Sequence, residues 1–433
     1  MATIKCGLGQ PYSSLAIALL ALNNGDTLET YGPYAESNQT VTPPVGLIGV
    51  TWRHYGGDYT FDGTGATATF LTLAASNTNW TVGALGDNGG RVKATGYIGA
   101  NTLVNAGASN VVGGFRLTAN GAVGVYQITA ILTGNGAIFD DILIDNPVDP
   151  TNKNWIGIYL NGASGNVVRN CVVEDVTITG AGRDIYAVAM ASATTSPVIR
   201  DTIIRRVTAP DMVYAVYGSG ANGYITVERV RAHALTGDKL YGIYVLNRSA
   251  LVRDGLTYDF TATTTSSGIY MAGTQVDAVD SDSFVENCTV VGTSNGLYFG
   301  NIPAAGTRTV RNCISSGGTA TEFYADAGAV GTSKNNCAAG GLYSANFPNG
   351  ATDLSTDPLF RDAVNNDYRL SRWSPCVDSG IWIPNRTGDL EHQPISGRGM
   401  DRGAYEFQQA NSRDVRQEVE GQVSMSTRDV RRS

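Results

Sequence analysis

Small, apolar and aromatic residues return in the same order every 26 to 30 positions through the middle of this chain. The column reads Gly157-Ile158-Tyr159, Ala187-Val188-Ala189, Ala215-Val216-Tyr217, Gly242-Ile243-Tyr244, Gly268-Ile269-Tyr270, Gly296-Leu297-Tyr298 and Glu322-Phe323-Tyr324. Its central apolar residues lie 30, 28, 27, 26, 28 and 26 positions apart. A second set of runs falls between them: Val167-Val168, Val198-Ile199, Ile225-Thr226-Val227, Leu251-Val252, Phe284-Val285 and Thr309-Val310. Short β-branched runs bounded by Gly, Asn and Asp are strand signals. A long period filled with them marks a solenoid, in which each unit buries its apolar face against the next. The pattern predicts two strands per coil between about residues 137 and 340. Some eleven coils in all would stack ~4.8 Å apart into a rod of ~50 Å. Successive residues of a strand face opposite ways. Tyr159, Tyr217, Tyr244, Tyr270, Tyr298 and Tyr324 are therefore expected outside, as a ladder of rings one coil apart.

The ends depart from this period. Met1 to Cys6 reads as a short strand, and Leu15, Ala18, Leu19 and Leu22 follow at helical spacing after Ser13 and Ser14, either of which can cap a helix. The first coil of a solenoid would otherwise show water an apolar cross-section and unpaired strand groups. Residues 1–26 are thus expected to form a strand and a capping helix, residues 27–350 the coils, and residues 351–407 a closing segment. Residues 408–433 differ in composition. From Asn411 onward there are five Arg, four acidic residues and no aromatic one, and Ser412-Arg413-Asp414-Val415-Arg416 is echoed by Thr427-Arg428-Asp429-Val430-Arg431. Such a tail buries little surface by itself. It is a solvated leftover or an arm that docks on a partner through Arg413, Arg416, Arg428, Arg431 and Arg432.

Composition narrows the classes. Only 16% of the 433 residues are charged and 53 are glycine, which suits a turn-rich all-β body with a weakly charged skin. A net charge of −8 argues against nucleic acid as a partner, because backbone binding needs clustered Lys and Arg. No stretch approaches the ~20 consecutive apolar residues that span a bilayer, so no membrane insertion is expected. Leu15 to Leu22 lacks the basic flank, length and cleavage site of a secretion signal. Cys171, Cys288 and Cys313 each follow an asparagine at one slot of the repeat, where other coils have Thr202 and Gly255. Small residues recurring at a buried slot are served by free thiols, so the six cysteines are expected to be reduced.

Particular segments carry a resemblance. Tyr12-Ser13-Ser14-Leu15, Gly25-Asp26-Thr27-Leu28 and Tyr34-Ala35-Glu36 open the chain. Asp357-Pro358-Leu359-Phe360, Asn366-Asp367-Tyr368-Arg369-Leu370, Ser374-Pro375-Cys376-Val377-Asp378-Ser379-Gly380 and Asp401-Arg402-Gly403-Ala404-Tyr405-Glu406 close it. In these the chain resembles, from about residue 1 to 407, the right-handed parallel β-helix proteins of the pectate-lyase-like superfamily, and among them phage virion proteins of the decoration or tail-spike type. The resemblance implies an all-β, right-handed parallel β-helix solenoid with an N-terminal helix cap and a short C-terminal tail. It leaves activity open, since members include lyases, hydrolases, adhesins and phage tail or decoration proteins.

Glycoside hydrolysis needs two or three neighbouring carboxylates, one held as an acid. If the chain is an enzyme, Asp140, Asp141 and Asp145 are the first candidates; Asp277, Asp280 and Asp282, and the between-coil column Asp201 and Asp254, come next. Adjacent strand residues point apart, so Asp140 and Asp141 share one cleft only across a bulge, and turn aspartates are common for backbone reasons. The polygalacturonase-type Asn-Thr-Asp with an Asp-Asp pair one coil later is absent in that form. A lyase of the pectate type would use Ca²⁺ and an Arg or Lys base, and Arg169, Arg200, Arg253 and Arg311 do recur beside Asn170, Asp201, Asp254 and Asn312. Recurrence favours a turn that satisfies its backbone on every coil, because a site is a local exception to a repeat. His54, His233 and His392 lie on separate segments and give no metal spacing, and no cofactor is expected. The tyrosine ladder is the most functional-looking surface: Tyr217, Tyr244, Tyr270 and Tyr298 can stack on sugar rings or serve packing alone.

Three functions follow, in this order. The first is a structural virion protein, made in a host cytoplasm without a signal peptide, attached to other capsid or tail proteins and able to bind host surface polysaccharide; a homotrimer is one assembly open to it. The second is a polysaccharide lyase or glycoside hydrolase. The third is a non-catalytic glycan-binding adhesin.

Overall fold

Most described coils of this chain turn at a residue in the left-handed backbone region, and that corner explains the architecture. The computed structural model describes residues 1–37, 41–62, 70–74, 76–85, 92–95, 102–118, 126–145, 154–162, 164–191, 194–220, 224–246, 249–273, 282–301 and 307–408. Asp141, Asn170, Asp201, Asp254, Asn287, Asn312 and Asn335 occupy the corner with φ between 49° and 58°, and Gly56 and Gly114 fill it in earlier coils. Gly, Asn and Asp are the residues that reach this region at least cost. The corner separates two strands that run together in sequence, as in Val167–Arg169 and Val172–Thr177. Each central coil therefore has three strands rather than the two predicted.

The coils stack as a continuous 29-stranded sheet with parallel pairing throughout. On the first face the inward column runs Ile4, Leu28, Trp52, Val82, Val112, Phe139, Val168, Ile199, Val227, Val252, Val285 and Val310. On the second it includes Ile144, Val173, Ile204, Ala232, Thr257, Val290 and Ser315. The third carries Ile158, Val188, Val216, Ile243, Ile269, Leu297 and Phe323. These columns fill the interior with a single apolar core. Cys171, Thr202, Gly255, Cys288 and Cys313 sit just past the corner, and all six thiols are free and buried. This is the fold of a right-handed parallel β-helix.

The short helix Leu15–Leu20 buries Leu15, Ala18 and Leu19 against the first coil. Ser14 stands at its N-cap but makes no capping bond. Glu36, one coil on, does that work: its carboxylate accepts from the Leu15 N–H at 3.0 Å, from Ser14 Oγ and from the Tyr59 hydroxyl. The other end is plugged by Phe299, Phe323, Tyr343 and Phe347, whose rings pack on one another. Residues beyond about 355 do not close that end. They run back along the side as a strap over the corner between the first and second faces. Asn335 and Asn312 donate their amides to the Ser379 and Ile381 carbonyls, Asn287 to that of Asp401, and Arg402 donates to the Asn336 carbonyl at 2.6 Å. Leu256, Tyr368, Leu390, Ala404 and Tyr405 form an apolar cluster beneath it.

Candidate functional site

Two outward surfaces repeat along the helix, and they differ in what their polar groups do. The first is the charged seam on the first face. Its outward column reads Asp140, Arg169, Arg200, Glu228, Arg253, Glu286 and Arg311. Arg169 donates to Asp140 at 2.7 and 3.0 Å, and Asn170 to its other oxygen. Arg253 and Arg311 share the buried Glu286 between them. Asp145, on the second face, is held by Arg116 and Thr118. Asp141 is a corner residue with φ 58°. The three candidate carboxylates thus straddle a corner, and Asp140 and Asp145 are committed to different arginines.

The recurring Asn/Asp slot does more than satisfy its own turn. Three of its asparagines fasten the strap, and two of its aspartates meet strap side chains: Asp254 the Arg386 guanidinium at 2.8 Å and Asp201 the His392 ring at 3.0 Å. Arg386 is fully buried and also bonds Glu406. Burial pushes the Asp254 and Glu406 carboxyls up to about 7, against the pull of the Arg386 guanidinium, and Asp401 beside them up to about 6. These perturbed acids lie under the strap, away from any open surface. Among the other expected residues, Asp282 accepts from the Thr307 N–H and hydroxyl, while Asp277 and Asp280 lie outside the described residues. So do Arg413, Arg416, Arg428, Arg431 and Arg432. His54 bonds Thr30 and the Gly57 carbonyl, and His233 stacks on Tyr258. Among the described residues no cluster of three metal-ligating side chains occurs, and no helix is long and apolar enough to cross a membrane.

The second surface is the third face. Tyr217, Tyr244, Tyr270, Tyr298 and Tyr324 stack one rung apart, with ring centroids 5.5, 4.8, 4.7 and 4.5 Å apart and planes within 9°. Ala189 separates them from Tyr159. A second ladder, absent from the sequence reading, runs beside the first: Tyr186, Tyr214 and Tyr241, 4.9 and 5.1 Å apart. Its signal was present, since each stands three residues before the column position of its coil. The strand bends between the ladders at the small column Gly157, Ala187, Ala215, Gly242, Gly268 and Gly296. A Cβ on Gly242 or Gly296 would lie 2.5 or 2.4 Å from the next rung's carbonyl oxygen. Across the bend the two ladders meet edge to face, at 71° to 79°.

This herringbone decides what the tyrosines can offer. Stacked ring faces cover one another, so a sugar cannot lie flat on the middle of the ladder as expected. Edges and hydroxyls are what remain. The hydroxyls of Tyr186 and Tyr324 bond Asp184 and Asp326, whereas those of Tyr217, Tyr244 and Tyr270 have no partner within the described protein. Burial pushes the Tyr244 and Tyr270 phenols up, Tyr270 to about 12, so both remain donors at neutral pH. Ser267, Asn295 and Thr321 continue the second ladder as polar groups. Among the described residues along the edges of this face acids outnumber bases: Asp184, Asp211, Asp238 and Asp326 against Arg183 and Lys239.

No family model matches the chain, and no curated protein sequence matches it. Among solved structures it is similar to pectate lyase Pel9A, with a TM-score of 0.51 at 13% identity over 94% of this chain and 97% of that one. It is also similar to an endo-xylogalacturonan hydrolase from Aspergillus tubingensis, with a TM-score of 0.35 at 13% identity over 82% and 99%. The solenoid, the three-faced coil and the first of these likenesses agree on one conclusion: the chain has the pectate-lyase-like parallel β-helix fold.

Proposed function

We propose that this protein is a glycan-binding β-helix that holds a neutral polysaccharide along its third face. The observation that carries this reading is the row of hydroxyls on Tyr217, Tyr244 and Tyr270 that have no partner among the described residues, repeated one rung apart on rings that their stacking holds rigid. Rigid donors lose little conformational freedom on binding. Repetition at the coil spacing suits a polymer of repeating sugar units, because neighbouring contacts add once the first is made. The edges of the face argue for an uncharged chain. A polyuronate carries a carboxylate on every unit and would meet mostly Asp here, while Arg169, Arg253 and Arg311 of the seam are already occupied by Asp140 and Glu286.

Binding rather than turnover is the better reading, because Asp140 and Asp145 are neutralised by Arg169 and Arg116 and stand on other faces. Attachment to a virus particle, by an end of the helix or by the Arg-rich tail, has no support from any of the comparisons. The test is co-sedimentation with insoluble neutral polysaccharides. The protein is expected to pellet with at least one, and the triple variant Tyr217→Ala, Tyr244→Ala, Tyr270→Ala to remain in solution. Equal pelleting of both proteins would remove the third face from consideration.

A further inference from the structure

A cleft of about 750 Å³ lies away from both ladders, between the last full coil and the strap. That volume is in the range of small-ligand sites. Ser316 and Gly340 line it from the coil, and Asp357, Leu359, Ser371 and Trp373 from the strap. Trp373 is 78% exposed, and the Arg372 guanidinium lies 5.2 Å from its ring centroid. An aromatic face backed by a cation on one side is braced for a contact on the other. Among the described residues that line the cleft, Asp357 carries the charge.

Three details single the cleft out. First, its tryptophan has the open ring face that the stacked tyrosines lack. Second, polar groups there are free: the hydroxyls of Ser316 and Ser371 and the indole N–H of Trp373 have no partner among the described residues. Asp357 spends one carboxylate oxygen on the Leu359 N–H, at 2.8 Å, and keeps the other. Third, Leu359 is held at φ 50° and is 40% exposed. A leucine in the left-handed region is strained and persists where surrounding bonds impose it. Here the bonds from Leu359 N–H to Asp357 and from Ser371 N–H to the Leu359 carbonyl impose it. The result presents an apolar side chain at the mouth of the cleft.

We infer that this cleft is a second saccharide site, which takes the end of a neutral glycan chain with one sugar ring against Trp373 and its hydroxyls on Asp357, Ser316 and Ser371. A sugar ring has an apolar face for the indole and donors for an acceptor-rich wall, whereas an anionic ligand would meet the Asp357 carboxylate in the lining, and Arg372 is engaged on the Trp373 ring. The inference rests on the glycan reading above but concerns a separate surface.

Tryptophan emission tests it. Trp52, Trp80 and Trp155 are buried, so in a Trp382→Phe variant the remaining exposed tryptophan is Trp373. Titration of that variant with β-1,4-linked glucose and mannose tetramers should quench and blue-shift the exposed component, and tetragalacturonate should not. By calorimetry Trp373→Ala should bind the same tetramer about tenfold more weakly or worse. Arg169→Gln, on the charged seam, should bind it like the parent. No shift with any tetramer, from a protein that still co-sediments with polysaccharide, would overturn the cleft and leave the third face standing. A shift with short peptides and none with sugars would overturn it too. Loss of co-sedimentation as well would bring down the glycan reading itself.

Discussion

The charged seam and the tyrosine face are equally regular, yet one is closed chemistry and the other open. Along the seam the buried and half-buried acids are held by cations: Asp140 by Arg169, Glu286 by Arg253 and Arg311, and Asp254 by Arg386. Along the tyrosine face the rings satisfy one another while three hydroxyls face outward unpaired. Repetition alone therefore separates nothing in a β-helix, since both structure and binding repeat with the coil. The useful distinction is what each column leaves unsatisfied after its neighbours have been counted.

The contrast can be broken most forcefully at the seam's buried end. Arg386→Ala would strand the Asp254 and Glu406 carboxylates without their cation, and breaking a buried pair in this way costs ~3–5 kcal/mol. The expected outcome is a large fall in Tm and early proteolysis of the strap, with the coils intact. The same cluster sets a pH dependence. Folding raises Asp254 and Glu406 to about 7 and Asp401 to about 6, above the ordinary carboxyl values near 4. Their protonated forms are favoured in the fold, so that contribution is complete below pH ~4 and is lost as pH rises through 6 and 7. Tm should decline between pH 5 and pH 8, and Asp254→Asn should flatten the decline.

Smaller effects sharpen the tyrosine side. Tyr244→Ala removes a half-buried ring that stacks on Tyr217 and Tyr270 and meets Tyr214 and Tyr241 edge-on, a loss of about 2 kcal/mol in stability. Tyr244→Phe keeps the ring and removes the donor. It should leave Tm unchanged and cost about 1 kcal/mol in glycan binding, the worth of one hydrogen bond. Smallest of all, Arg169→Gln at the half-exposed edge of the seam should cost under ~1 kcal/mol by denaturant titration and leave binding untouched.

Much of the fold could be read from period and residue type. Gly242-Ile243-Tyr244 and its relatives specified the stacked strand, and Cys171, Thr202 and Gly255 marked one buried slot, because a repeat writes each structural demand several times. The third strand escaped because Asn170 and Cys171 alone separate Val167–Arg169 from Val172–Thr177, and the left-handed corner has no apolar signature of its own. Glu36 as the cap of the first helix escaped because the contact spans a coil. The strap's course along Asn287, Asn312 and Asn335 was hidden for the same reason: those asparagines have the same look whether they serve a turn or a partner segment. Sequence placed Tyr217, Tyr244, Tyr270 and Tyr298 in one ladder. It was silent on ring orientation, which is what turns the expected stacking surface into a row of hydroxyls.

Affinity electrophoresis through gels cast with a neutral β-glucan, a neutral mannan or polygalacturonate probes that row most directly, using the native chain and the Tyr217→Phe, Tyr244→Phe, Tyr270→Phe triple variant. Retardation of the native chain by a neutral polymer and not by polygalacturonate, with the variant restored to near-free mobility at unchanged Tm, is the predicted result. Retardation by polygalacturonate alone, or equal retardation of both proteins, would contradict a neutral glycan held by the tyrosine hydroxyls.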